Sequence, residues 1–303
     1  MKFITKKVIK GNDYYYLQYK GYTKLLGRVI PSEIKKKLED FFRMVAVKEY
    51  IKVNSKTLAL FHPKKLEHLE RYHYTFLVCS ESELFQHKYA DFKLWFAVFF
   101  TFNSNRSEGS KVTRPEIEKV ILKNIKKPKT RTDREIYNST RALWYVLSKD
   151  MKWTLKDIKK VHFLLLEGLD DEHIVGRWKN ENNVAPGNQP TVSAQEVAVE
   201  MAGLMNWLKK EIKGKRYPPL LALDFYSRFE RIHPFLDGNG RVGRLLLNGL
   251  LWKFRYMPVV FFTSAHQSHC EALRQALDGR PWKFYRHFLD QADKTYKLLV
   301  EGG

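Results

Sequence analysis

From Ser32 onward, apolar residues return at steps of three and four in one segment after another, and that period commits most of the chain to α-helix. "SEIKKKLEDFFRMVAVKEYIKV" opens on a serine in a cap position and sets Ile34, Leu38, Phe41, Phe42 and Val45 on one side. The same spacing runs through "ESELFQHKYADFKLWFAVFFTFNSNRSEG", "TRPEIEKVILKNI", "TDREIYNSTRALWYVLSK", "TLKDIKKVHFLLLEGL" and "SAQEVAVEMAGLMNWLKKEI". Several of these start at Ser or Thr with an acid two to four residues on, which suits a helix N-terminus. In "PPLLALDFYSRFERI", Leu221, Phe225, Phe229 and Ile232 share the inward face.

Two stretches break the period. The first thirty residues, with "DYYYLQYKGYTKLLGRVIP", join aromatic and β-branched residues to glycine punctuation and stop at Pro31; they read as a small β-hairpin or ribbon. "IVGRWKNENNVAPGNQPTV" carries Gly, Asn and Pro without a helical period and reads as a long loop or irregular hairpin. The expected fold is mainly α, with a small N-terminal β-ribbon.

Composition narrows the function class. Hydrophobic residues at 44% and aromatics at 14% are enough for a packed core, which excludes wholesale disorder. No apolar run is long enough to span a bilayer, and the N-terminus has lysines without a long apolar signal core. Cys79 and Cys270 lie too far apart and are too few for a disulfide or zinc framework. The expectation is a soluble, cytoplasmic protein with no membrane partner. A net charge of +21 would attract nucleic acid, acidic proteins or nucleotide phosphates. The lysines are spread beside apolar residues at helical spacing, however, as solvated helix faces are. Tyrosines interleaved with lysines near the N-terminus could stack bases, so a basic nucleic-acid-binding protein stays open as an alternative.

The chemistry concentrates in "HPFLDGNGRVGR", His233 to Arg244. Its G-x-G-x-x-G imitates a dinucleotide-binding turn, but the preceding segment is charged and helical, and the next acid after Asp237 is Glu271. No G-x-x-x-x-G-K-[ST] loop occurs. What remains is a phosphate cradle of another kind. Gly238 and Gly240 let backbone N–H groups converge, and "RVGRLLLNGLLWKF" runs on as a helix whose N-terminus favours an anion. Arg241 and Arg244, three apart in that first turn, reach the same side as charged forks. Asp237 is an acid among anion-binding groups, sensible if it holds Mg²⁺ bridging two phosphates. His233 at the mouth is the side-chain type that takes protons from hydroxyls near neutrality, and Phe235 reads as a core plug. The implied chemistry is attack by a hydroxyl on a nucleotide phosphate.

These residues resemble, at every fixed position, the H-P-F-x-[DE]-G-N-G-R-x-x-R signature of the Fic (Fic/Doc) family, and the resemblance extends from about Phe96 to Leu289. It implies a helical Fic core with a β-hairpin flap and a protein adenylyltransferase that moves AMP from ATP to Ser, Thr or Tyr hydroxyls of a protein substrate. His233 would be the base and Asp237 the Mg²⁺ ligand. Gly238, Asn239, Gly240, Arg241, Gly243 and Arg244 would hold the phosphates, and Asn248 would contact the nucleoside. Gly176, Val184 and Ala185 would belong to the flap, about residues 176–191, here one residue longer than the usual pattern. "SNRSEG" matches the family's inhibitory [ST]-x-x-x-E-[GN] through Ser104, Glu108 and Gly109, on a helix of about residues 98–110. The resemblance implies autoinhibition by a Glu108–Arg244 pair, in cis or across a homodimer, and in some relatives removal of AMP as well. It leaves open a Fic enzyme that moves UMP, a phosphoryl group or phosphocholine. The chain departs from the family at Tyr226, where a histidine is frequent, and at His269 and Cys270, near the position of adenine-facing aromatics. Residues 1–92 are expected as an N-terminal β-ribbon and helical region, and 93–303 as the Fic core with its motif loop at 233–244.

Overall fold

A computed structural model describes residues 3–53, 61, 63–81, 86–185 and 189–298. The chain divides into two compact units, Met1–Thr75 and Phe76–Gly303.

The first unit begins with three strands, β1 (Ile4–Ile9), β2 (Asn12–Tyr19) and β3 (Tyr22–Gly27), paired antiparallel in sequence order. The expected hairpin is therefore a three-stranded sheet. Its two turns are Lys10–Gly11 and Lys20–Gly21, all four residues at positive φ, the backbone that a two-residue turn needs to match strand twist. One face packs on α1 (Ile34–Val53): Leu17, Phe41 and Val45 are buried, with Ile4, Tyr19, Tyr22, Leu26, Ile34, Leu38 and Met44 around them. Tyr22 Oη donates to Glu49 at 2.9 Å, so that tyrosine is a packing residue with a satisfied hydroxyl. The helix α2 (Pro63–Glu81) follows.

The second unit is helical: α3 (Gln86–Ser107), α4 (Arg114–Leu122), α5 (Arg131–Val146), α6 (Leu155–Leu166), α7 (Val197–Lys213), α8 (Pro218–Ile232), α9 (Asn239–Lys253), α10 (His266–Leu277) and α11 (Trp282–Tyr296). A two-stranded hairpin, β4 (Val184–Ala185) and β5 (Gln189–Pro190), interrupts them between α6 and α7. The fold is mainly α with small β elements, as expected. Helix starts move by a turn or less. Thr130, rather than Thr132, caps α5 by accepting from the Asp133 amide, and α7 starts four residues after Ser193.

The centre is α9, whose Val242 to Leu251 are buried all round, as in a helix enclosed by its neighbours. Two glycines make that enclosure possible. A Cβ on Gly249 would sit 2.2 Å from Val146 of α5, and one on Gly243 would sit 2.4 Å from Glu230 Oε1 and 2.7 Å from the Tyr226 ring, both on α8. On the α8 side, Leu221, Phe225, Phe229 and Ile232 are all buried. No described helix is long and apolar enough to cross a membrane.

Candidate active site

The site forms where α8 stops and α9 begins. Pro234 disfavours the right-handed helical region for the residue before it, and His233 leaves α8 in the left-handed conformation, φ 49° and ψ 61°. A non-glycine residue held there costs about 1–2 kcal/mol, so neighbours must fix it. The His233 ring is mostly enclosed, with Nδ1 3.5 Å from Glu230 Oε2.

The following loop is fixed almost atom by atom. The Pro234 carbonyl accepts from the Lys179 amide at 2.8 Å. The Phe235 carbonyl accepts from Asn239 Nδ2 at 2.7 Å and Asn183 Nδ2 at 2.8 Å, while the Phe235 amide donates to Asn239 Oδ1 at 2.9 Å. His162 reaches the Asp237 carbonyl with Nε2 at 3.0 Å and accepts the Gly176 amide on Nδ1 at 2.8 Å. Accepting an N–H on Nδ1 assigns the proton to Nε2, so the ring is neutral and donates to Asp237. Burial, the largest influence, lowers its pKa to about 4, consistent with that neutral form. Phe235 is fully buried and stacks on His162 with ring centroids 3.8 Å apart, the plug expected of it.

With its carbonyls bound on the outer side, the loop leaves the first amides of α9 for an anion. Gly238 caps the helix at φ +75°, and helix geometry gives the N–H groups of Asn239, Gly240 and Arg241 no acceptor of their own. A carboxylate from elsewhere in the chain lies beside this first turn. Glu108 lies on the turn after α3, and a Cβ on Gly240 would meet its Oε1 at 2.5 Å. Arg244 donates to Glu108 Oε1 at 2.8 Å, to Ser104 Oγ at 3.1 Å and to the Ser104 carbonyl at 3.0 Å. Gly109 closes the turn at φ +83°, a conformation glycine adopts freely. Burial pushes the Glu108 carboxyl up, but the attraction and hydrogen bond of Arg244, with Arg241 behind, outweigh it and hold the pKa below the usual carboxylate value.

Asp237 is exposed and paired through Oδ2 with Arg241 at 2.9 Å. It opens onto a cleft of about 620 Å³ that Glu108, Leu166, Asp170 and Arg241 also line. No cluster of three metal-ligating side chains occurs among the described residues. One free carboxylate oxygen beside an anion cradle suits a Mg²⁺ that arrives on phosphates and keeps several waters, rather than a resident metal.

Three of the expected site residues have side-chain or packing roles in the fold itself. Asn248 is fully buried, with Nδ2 donating to the Arg244 and Val259 carbonyls and Oδ1 accepting the Val259 amide at 2.6 Å, and it clamps the Val259 segment to α9. The Asn239 side chain closes the loop on Phe235, so only its backbone N–H is offered to a phosphate. Gly243 turns toward Glu230 and Tyr226, and its small size serves the α8–α9 crossing. Tyr226 and His269, two of the three residues at which the chain departs from the family pattern, bond each other at 3.0 Å and are buried.

The flap residues are anchored to the same loop. Gly176 holds φ +72° beneath His162, Ala185 is buried and Val184 exposed; Pro186, Gly187 and Asn188 lie outside the described residues. Lys179, missed in the sequence, is 3% exposed and donates to Asn183 Oδ1 at 2.6 Å, Thr191 Oγ1 at 2.8 Å and the Ile232 carbonyl at 3.4 Å. Burial lowers its pKa to about 8. Lys179 thus straps the flap to the residues on both sides of His233.

Residues 152–251 match the model of the Fic/DOC family. The protein adenylyltransferase Fic of Drosophila willistoni is 31% identical over 169 residues, covering 55% of this chain and 34% of that protein; the Drosophila virilis protein matches to the same extent. The chain therefore spans about a third of the length of these curated relatives. Among solved structures, a Fic domain-containing signaling protein from Bacteroides thetaiotaomicron aligns with a TM-score of 0.67 at 20% identity, over 77% of this chain and 95% of that one. Fic-1 from C. elegans aligns at 0.59 and 19% identity, over 90% and 76%. At these identities the structures share the fold.

Proposed function

We propose, from the premise that this chain belongs to the Fic/DOC family through residues 152–251, that it transfers AMP from ATP to protein hydroxyls and that Glu108 restrains the transfer. The amides at Gly238–Gly240 and the α9 dipole hold the α- and β-phosphates. Arg241 and Arg244 carry the rest of the polyphosphate as charged forks. Asp237 would hold the Mg²⁺ that accompanies ATP, which would supply charge neutralisation at the phosphates. His233 takes the proton from a Ser, Thr or Tyr hydroxyl; the freed oxygen bonds to the α-phosphorus, and the bond from that phosphorus to pyrophosphate breaks. The β4–β5 hairpin aligns the target chain by main-chain pairing along its edge.

The observation that carries this reading is the position of Glu108. Its carboxylate lies against Gly240 in the first turn of α9 and engages Arg244, so it takes the cation that a triphosphate needs and crowds the start of the helix. ATP must displace it or bind with the α-phosphorus out of line. The test is intact mass after incubation with Mg²⁺ and ATP, GTP, UTP or CTP in turn. Glu108→Gly is expected to gain AMP with ATP about 100-fold faster than the unaltered protein, because Arg244 is released, and on its own hydroxyls first, because these are at high local concentration. Equal labelling of both proteins overturns the restraint, and labelling by another nucleotide in preference to ATP overturns the adenylyl assignment.

A further inference from the structure

We propose that the outer face of the N-terminal sheet is a docking surface for duplex DNA, laid along the major groove. The sheet has two unlike faces. Ile4, Leu17, Tyr19, Tyr22 and Leu26 pack on α1 and are spent in the core of that unit. Strand alternation sends Thr5, Lys7, Tyr14, Tyr16, Gln18, Thr23 and Leu25 to the other side, and the register sets Lys7 beside Tyr14, Thr5 and Leu25 beside Tyr16, and Thr23 beside Gln18. Lys7, Gln18, Thr23 and Leu25 are exposed, and Leu25 retains 54% of its surface. Among the charged residues of segment 3–30, Lys7 lies on this face and Arg28 reaches over it, while the one acid, Asp13, alternates to the other side, so the bare face is also cationic.

The arrangement of those cations selects the partner. Lys7 Nζ lies 5.3 Å from the Tyr16 ring and the Arg28 guanidinium 5.8 Å from the Tyr14 ring. Both rings are thereby covered by a cation, which removes them as open platforms for unpaired bases. What the face presents instead is hydroxyls and an amide on the central strand, flanked by two cations that are rooted on either side of it, Lys7 on β1 and Arg28 just past β3, and are long enough to extend outward from its rings. Three strands span about 10 Å, two inter-strand spacings, against a B-form major groove about 12 Å wide. The eight residues of β2 extend about 27 Å, too long to cross the groove but suited to run along it. In that pose the edge cations meet the two phosphate rails. Tyr14, Tyr16 and Gln18 then meet base edges, and Leu25 supplies an apolar contact for a thymine methyl. A-form duplex RNA has a deep, narrow major groove and does not admit the sheet.

The experiment is fluorescence anisotropy with the full chain and one labelled 20-base-pair DNA duplex. The same sequence as single strand and as RNA duplex, and sedimentation with phosphatidylserine-containing vesicles, are the comparison arms. The duplex DNA is expected to bind tightest, with log affinity falling linearly in log salt. Lys7→Glu with Arg28→Glu is expected to lose at least about tenfold in affinity and about two units of salt slope, one per phosphate contact removed. Lys126→Glu with Lys127→Glu, two exposed lysines of the second unit, is expected to bind as the unaltered chain does. Circular dichroism melts confirm that each variant folds. The proposal is overturned if the two double variants weaken binding equally. It is also overturned if the single strand or RNA duplex binds more tightly, or if vesicles are bound and duplex DNA is not.

Discussion

The motif loop and the N-terminal sheet both collect positive charge, and they treat it in opposite ways. At the loop each cation is answered within the chain: Arg244 by Glu108, Arg241 by Asp237, and Lys179 by three oxygen acceptors. On the outer face of the sheet Lys7 and Arg28 have aromatic rings beneath them and water above. Charge that must act at one atom is held by countercharge and burial, which fixes direction. Charge that attracts a large partner is left exposed, which preserves its reach.

Removing the group that acts at one atom gives the largest expected effect. His233→Ala, made on Glu108→Gly, should slow AMP transfer about 1,000-fold, the scale of a lost general base, while ATP binding by calorimetry changes only a few-fold. Transfer at an appreciable fraction of the parent rate removes His233 from that role.

Next in size is the countercharge itself. The roughly 100-fold gain expected from Glu108→Gly should vanish in Glu108→Gly with Arg244→Ala, because the arginine set free is then missing. The single change should also lower stability by about 3 kcal/mol in urea titrations, since it leaves the buried Arg244 unanswered. Faster transfer without any loss of stability would mean that the pair contributes little to holding the fold.

The strap below the loop comes third. His162→Gln should reduce transfer about tenfold with little change in ATP affinity, because it loosens the Asp237 carbonyl without touching phosphate. The acid dependence has a definite sign. His162 is near 4 in the folded chain and 6.5 unfolded, so the unfolded chain takes up the proton first. Stability is retained above pH 6.5 and declines between about 6.5 and 4, by up to about 3 kcal/mol. Denaturation of both proteins at pH 7 and pH 4.5 checks this; the glutamine variant should lose less on acidification.

The smallest effect bears directly on the contrast between the regions. Raising salt from about 50 to 200 mM should change transfer by Glu108→Gly less than about twofold, since enclosed pairs are weakly screened. The same change should cut duplex binding by the sheet more than tenfold. Parallel salt titrations of rate and anisotropy separate the two; equal sensitivity would erase the distinction.

How much of this could be read from the sequence follows the range of each interaction. The helices were legible because the three-four period is local, and so was the phosphate cradle, whose parts fall within twelve consecutive residues. The third strand was not anticipated because β1 buries its side chains only at Ile4 and Thr5, and even these in part, and two lysines blur its alternation. The loop supports were out of reach. His162 meets Asp237 across 75 positions and Lys179 meets Ile232 across 53, and neither carries a spacing signal. One trace existed: His162 stands among Ile158, Val161 and Leu165 on the buried side of α6, a polar residue in a core position. Asn248 and Gly243 entered the expected site through the family resemblance; their packing roles depend on which way each points from α9, and successive residues of a helix point in different directions.

The Glu108–Arg244 contact joins two points of one polypeptide. Its occupancy is therefore a first-order property: it does not change when the protein is diluted, concentrated or overproduced, and no titration of copy number can relieve it. An inhibitor on a separate chain would be sensed as a ratio of two abundances. Under the restraint proposed above, the set point is written into the fold, and a group that competes for the arginine or shifts the end of α3 moves it.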